Sequence, residues 1–364
     1  MEYLHSLLKF AVNMGASDIH VKAGHHATIR ISGELFPVQV DPPTIEQVEE
    51  IVRHIVPHHL DARLEREKEV DFSYLDGSLG RFRANVFHQR GQLCIAMRYV
   101  KANIPSFAEL HLPEQLGKIA SAERGIVLVT GATGCGKSST LAAMLEYINH
   151  NEKCHAITLE DPIEYIFADK QSVIEQREVG LDTLSFERAL VHVMRQDPDV
   201  IMIGEMRDSQ SFMAALSAAD TGHLVLTTLH TTNAYSTIGR VLDFFPAHER
   251  DQIRRQIAAN LQAVVCQRLV PALAGGVVPA VEIMISTPTV RKLIEENRLD
   301  KLFAAIETGS EDGMQTFNQS LYKLVKAKMI TEENALARAT NPEALKMNFR
   351  GIFLDESRRI LASA

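Results

Sequence analysis

The chain has 364 residues, of which 46% are hydrophobic and 23% charged, with a formal net charge of −8 at pH 7. That length makes two domains the default and gives ample apolar material for a core. The acidic balance argues against a protein that coats nucleic acid, and no apolar run is long enough to span a bilayer directly.

Near the start, Leu4, Leu7, Leu8, Ala11 and Met14 recur at helical spacing. They predict an amphipathic helix ended by Gly15, without the basic lead of a signal peptide. Thr44-Ile45-Glu46-Gln47 is a capping-box pattern opening a helix that Pro57 closes. Two strands follow, Arg81–His88 after the Asp76-Gly77 turn and Gln92–Val100 after the turn at Arg90-Gly91. Their period of two leaves Arg81 and Arg83 on one polar face and Arg98 on another, so a hairpin can present several arginines together. Residues 1–100 thus predict a small α+β domain. Residues 101–113, with two prolines and no period, read as a linker.

From residue 114 to 364 the pattern changes. Apolar strands at Ile126–Thr130, Ala156–Glu160, Val200–Gly204 and Leu224–Leu229 alternate with helical segments, as in an open α/β sheet covered by helices. Beyond Pro246 the sequence reads as mostly helical, broken by Val277–Ile285. The four cysteines, at 94, 135, 154 and 266, are too far apart for a disulfide framework or a Cys-x-x-Cys zinc site, which suits the cytoplasm.

The first predicted strand of this region runs into Gly131-Ala132-Thr133-Gly134-Cys135-Gly136-Lys137-Ser138, and Ser139 opens a helix to Asn149. This is the P-loop pattern in its required context. Glycines let the backbone curl so that its N–H groups face a phosphate, and the helix N-terminus adds partial positive charge. Lys137 would reach the β- and γ-phosphates of ATP, and the Ser138 hydroxyl would hold Mg²⁺. Cys135 stands beside Lys137 and the helix N-terminus. Both favour a thiolate, whereas burial would oppose it.

A magnesium-bound triphosphate also needs a carboxylate at a neighbouring strand end. Glu205 and Glu160 each end a predicted strand, where an open α/β sheet gathers its ligand. Asp197, Asp199 and Asp208 read as turn formers, helix caps or arginine partners. His223 and His230 bracket Leu224–Leu229. An extended strand puts them at opposite ends, so both can touch one phosphate only if the strand bends.

Three long segments carry a resemblance. Ile157–Tyr165, Arg195–Asp208 and Thr221–Thr231 look like the Asp box, Walker B box and His box of secretion ATPases, and within these the chain resembles the type IV pilus retraction ATPases, the PilT/PilU family. Supporting fragments are Ala16–His20, Asp71-Phe72-Ser73 with Arg81-Phe82-Arg83, and Gly313–Phe317. The resemblance implies a PAS-like N-terminal domain, a RecA-like P-loop ATPase domain and a homohexameric ring that drives pilus retraction and twitching motility. It implies Glu205 as general base, Glu160 as the Asp-box acid, and first-domain arginines that reach the triphosphate. Arg83 and Arg98 match best, ahead of Arg81 and Arg90.

The resemblance further implies a cytoplasmic enzyme at the inner-membrane base of the pilus machine. Its partners would be its own copies, an inner-membrane platform protein and a paralogous retraction ATPase, with no nucleic acid. A Cys-x-x-Cys zinc module and an added N-terminal domain, frequent in pilus-extension and type II secretion ATPases, are not found here, which favours retraction. The retraction motif Ala-Ile-Arg-Asn-Leu-Ile becomes Thr289-Val290-Arg291-Lys292-Leu293-Ile294. Main motor and accessory paralogue both stay open on that evidence.

Overall fold

The computed structural model describes residues 1–31, 33–100 and 103–352. Lys101 and Ala102 of the expected linker, and residues 353–364 of the expected ATPase domain, lie outside the described residues. The chain forms two compact units. One comprises Met1–Asn103 together with Pro162–Ile166, and the other Ile104–Asp161 with the remainder from Phe167. The short internal piece of the first unit is absent from the sequence reading, which divides the chain once.

The first unit is a six-stranded antiparallel sheet with helices on it. Its strands are β1 (Asp18–Lys22), β2 (Thr28–Ile31), β3 (Glu34–Pro37), β4 (Glu69–Asp76), β5 (Gly80–Gln89) and β6 (Gln92–Tyr99), in spatial order β3-β2-β1-β6-β5-β4. The helix Glu2–Asn13 buries Leu4, Leu7, Leu8 and Ala11 against it. Met14 falls beyond the helix end and is 50% exposed. The helix Ile45–Ile55 opens on the expected capping box. Gln47 N–H donates to Thr44 Oγ1 at 3.3 Å, and Thr44 N–H donates to the Gln47 side chain at 2.8 Å. Phe82, Ala84 and Val86 of β5 point into the same core.

The second unit is built on a seven-stranded sheet of β7 (Gly125–Gly131), β8 (His155–Glu160), β9 (Val173–Glu178), β10 (Val200–Ile203), β11 (Leu224–Leu229), β12 (Leu261–Pro271) and β13 (Val277–Ile285). The order is β13-β12-β7-β11-β10-β8-β9, parallel throughout except for the β12–β13 pair. Every residue of β7 and β11 is buried, as a parallel sheet covered on both faces requires. The fold class is therefore the expected one, a RecA-like α/β sheet accompanied by an α+β unit.

One sequence expectation fails here. Leu261–Pro271 lies in the stretch read as helical, yet it is a strand paired with β7, with Val264, Val265 and Cys266 fully buried. An apolar run buried on both faces carries no period, so a strand and a buried helix look alike in it. Opposite Cys266 stands Glu282 of β13, at 0% exposure. One of its oxygens accepts the N–H of Ala234, first residue of the helix Ala234–Leu242, at 2.7 Å. Burial pushes its carboxyl pKa up, against the Ala234 N–H bond and the charge of Arg268.

Candidate active site

Between β7 and the helix Lys137–Asn151 the loop turns on Gly131, Gly134 and Gly136, all at positive φ. Gly131 is the tightest position. Its φ is +146°, and a Cβ there would stand 2.4 Å from Cys135 Sγ and 2.7 Å from the Gln267 carbonyl oxygen. Only glycine fits between the loop and β12. No side chain caps the helix that follows, so its N-terminal dipole faces out of the loop, toward the half-buried Ser138 and Ser139 of its first turn.

Lys137 is 9% exposed. Its Nζ donates to the carbonyls of Gly131 at 3.1 Å and Ala132 at 3.0 Å, and stands 3.4 Å from His230 Nδ1. His230 Nε2 lies 2.9 Å from Glu205 Oε1, while Glu205 Oε2 accepts from Arg207 at 2.8 Å. One neutral tautomer satisfies this chain: Nδ1 accepts from Lys137 and Nε2–H donates to Glu205. That assignment follows from the contacts. Burial raises the Glu205 pKa, but the Arg207 hydrogen bond, the adjoining His230 ring and the charges of Arg207 and Lys137 outweigh it, and the carboxyl settles below its usual range.

Glu160 is placed differently. In the sheet order, Glu205 follows a strand two places from β7, whereas Glu160 ends a strand three places away. At about 4.8 Å per strand this sets Glu160 one further step from the P-loop. Its buried carboxylate accepts from Thr158 at 2.6 Å and from Gln176 at 3.1 Å. Gly204 N–H donates to the Leu159 carbonyl at 2.8 Å and holds the ends of β8 and β10 side by side.

His223, a candidate alongside His230, does not join this group within the chain. It precedes β11, its carbonyl accepting from Gly125 at the far end of β7, and its ring bonds the Ala218 carbonyl at 2.8 Å and Thr221 at 3.1 Å. The six residues of β11 separate it from His230 by about 20 Å. Two of the neighbouring aspartates hold backbone N–H groups. Asp208 caps the helix Ser209–Asp220 by accepting from Ser211 N–H, and Asp199 accepts from His155 N–H.

The thiolate reading of Cys135 fails. The residue is buried, and burial raises its pKa more than Lys137 and the backbone N–H groups lower it. Its sulfur fills the space beside the missing side chain of Gly131.

On the β12 side of the P-loop lies a cavity of about 340 Å³. The loop residues Gly131–Cys135 form one wall, and Thr232, Arg268, Leu269 and Arg338 are among the others. None of these four is visible in the sequence as a site residue, because β12 itself reads as helix and Arg338 is remote in the chain. Among the described residues no three His, Cys, Asp or Glu side chains cluster to hold a metal. A serine hydroxyl and nearby carboxylates are a hard-oxygen set, which fits a magnesium ion carried on phosphate rather than one caged by protein.

In the first unit, Arg83 of β5 and Arg98 of β6 stand directly opposite one another. Like charges so placed repel, and each has its own acid. Arg98 Nε donates to Asp18 at 2.7 Å, and Arg83 lies 3.9 Å from Asp71. Both line a cavity of about 580 Å³ within this unit, together with Ser17, Tyr99, Pro162 and Tyr165. Arg81 donates to Ser73 at 2.9 Å, and Arg90 occupies the hairpin turn at φ +52°.

The chain is 42% identical over 337 residues to the type IV pilus retraction ATPase PilT of Pseudomonas aeruginosa, covering 93% of this chain and 98% of that protein. It is 40% identical over 348 residues to the type IV pilus ATPase PilU of the same organism, covering 95% and 91%. The solved structure of the pilus retraction motor PilT with bound ADP superposes with a TM-score of 0.87 at 42% identity, covering 93% of this chain and 97% of that one. The profile of the Type II/IV secretion system protein family matches residues 1–348, and the chain belongs to that family.

Proposed function

We propose that this chain is an ATP-hydrolysing motor that drives type IV pilus retraction, and with it twitching motility, by pilin depolymerisation. The observation that carries the chemistry is the connected set Lys137–His230–Glu205 at the mouth of the P-loop. Likeness to PilT and PilU over nearly the whole chain supports the biological role.

In this reading the triphosphate lies along Gly131–Ser139, with Lys137 turned from the loop carbonyls onto the β- and γ-phosphates. Magnesium, bound through phosphate and the Ser138 hydroxyl, would neutralise phosphate charge. Glu205 accepts a proton from water as the water oxygen forms its bond to the γ-phosphorus. The bond to the β–γ bridging oxygen breaks, leaving ADP and inorganic phosphate. An ionised carboxylate has the free lone pair that can take that proton. Glu160 supports the site from β8, and Arg83 and Arg98 stabilise the charge on the transferred group, as arginine fingers do.

The working form is a homohexamer, cytoplasmic and peripheral to the inner-membrane base of the pilus machine, engaging a platform protein there. Residues 1–100 act as the PAS-like domain, joined through 101–113 to the ATPase domain 114–364. Deletion of the gene tests the role. A retraction motor leaves surface pili present but immobile, whereas an extension or type II secretion motor leaves pili absent or unaffected. A second reading, an accessory paralogue working beside a main retraction ATPase, is kept open by Lys292 in the retraction motif and by near-equal identity to PilT and PilU. In that case retraction persists and only its force or persistence falls.

A further inference from the structure

The cavity beside the P-loop has a side. β12 flanks β7 on one edge, and β11 with β10 flank it on the other. Lys137, His230 and Glu205 meet on the β11 side, and the cavity is lined from β12. A nucleotide lying across the loop with its terminal phosphate toward Glu205 must direct its nucleoside end toward β12. About 340 Å³ is within the range of small-ligand pockets and can take a nucleoside.

Two cations line that cavity, and they differ in freedom. Arg268 is fixed: it donates to the carbonyls of Arg338 at 2.8 Å and Thr232 at 3.1 Å and to Thr340 at 3.1 Å, with its guanidinium carbon 3.8 Å over the Phe317 ring. Arg338 closes the helix Glu332–Arg338. Its backbone is pinned by Arg268, while its side chain is exposed and takes no hydrogen bond or ion pair among the described residues. A pinned backbone carrying a free planar cation at the rim of an open cavity is the arrangement of a clasp. Leu269 supplies an apolar wall.

We infer that Arg338 closes over the nucleoside end of a bound nucleotide, its guanidinium laid on the face of the base; this rests on the reading of the P-loop as a nucleotide site. Stacking of a guanidinium on a π-face is indifferent to most ring substituents, so adenine and guanine nucleotides should both profit.

The test is equilibrium binding of Mg-ATP, Mg-ADP and Mg-tripolyphosphate by calorimetry on the full chain. Arg338→Ala should weaken ATP and ADP by the same factor, ~2–30-fold for a cation–π contact, and leave tripolyphosphate unchanged. The loss should appear in KM rather than kcat, and Arg338→Lys, charged but not planar, should restore it only in part. Unchanged ATP and ADP binding overturns the inference, as does an equal loss for tripolyphosphate, which would make Arg338 a phosphate ligand. Lys137→Ala separates the two levels. If it abolishes binding of all three while Arg338→Ala does nothing, the nucleotide site stands and the clasp does not. If the unaltered chain binds none of them, the site reading fails as well.

Discussion

The Nε2 of His230 stands 2.9 Å from a carboxylate oxygen of Glu205, and the other ring nitrogen faces Lys137. The histidine therefore links the proposed phosphate-binding cation to the proposed base. Glu205→Gln should keep ATP binding and lower turnover by about 10²–10⁴-fold, since an amide cannot take the proton. His230→Ala should also lower turnover. The double mutant should lose less than the product of the two, because both act through one contact. Steady-state ATPase assays beside nucleotide-binding titrations decide this. Near-normal turnover in Glu205→Gln would move the base to Glu160.

Arg83 and Arg98 face each other across two strands at positions that burial does not need. Replacing either by Ala should leave thermal unfolding within about 0.5 kcal/mol of the parent. ATPase should fall sharply, roughly 10³-fold if they serve as fingers. Normal hydrolysis in both single mutants would reduce them to surface charges held by Asp18 and Asp71.

Thiol labelling should follow burial. Cys94, Cys135 and Cys266 are buried, and Cys266 is pushed up to about 12, whereas Cys154 is half-buried and shares a contact with Ser172. A small alkylating reagent above pH 8 should mark Cys154 first and leave Cys135 slow, as mass-spectrometric mapping can show. Fast labelling of Cys135 in the folded chain would mean that the loop opens.

Gly131→Ala should be among the most damaging single-methyl additions in the protein. The backbone strain alone costs about 1–3 kcal/mol, and the added carbon meets the Gln267 carbonyl, which cannot rotate away. Cys135→Ala would relieve only the sulfur contact. Chemical denaturation of the single and double mutants should therefore show partial rescue, and full rescue would contradict the β12 contact.

Glu282 gives a pH dependence with a definite sign. Its folded pKa is raised above the unfolded value of about 4.3. Across the window between the two, the folded chain holds the proton that the unfolded chain has lost, so stability declines as pH rises. Glu282→Gln removes that slope and should raise the melting temperature relative to the parent more at pH 8 than at pH 5. The same difference at both pH values would show that the carboxyl is ionised throughout.

Much of this was legible because function here depends on local backbone geometry. A P-loop must be contiguous, so Gly131 to Ser138 announce it, and Glu205 follows from ending an apolar strand. Strands β5 and β6 declare themselves by alternation. Strands β1 and β2 alternate, with Ile19 and Val21 on one face and Ile29 and Ile31 on another, but over only five and four residues, and β3 is exposed along its whole length. β12 is apolar on both faces and mimics a buried helix. Thr232, Arg268 and Arg338 reach the loop only through sheet order and the packing of the terminal helices, which no spacing in the sequence encodes. The two histidines were separable in principle, since a straight six-residue strand cannot bring both to one phosphate.

The piece Pro162–Ile166 belongs to the first unit although the chain on either side of it belongs to the second. The polypeptide therefore passes between the units three times, at 103–104, 161–162 and 166–167. Neither unit is a genetic module. A fragment ending at Asn103 would lack the segment that walls its own arginine cavity, and a fragment beginning at Ile104 would carry that segment without the unit to which it belongs. Domain exchange between relatives should accordingly succeed only when both stretches come from the same parent.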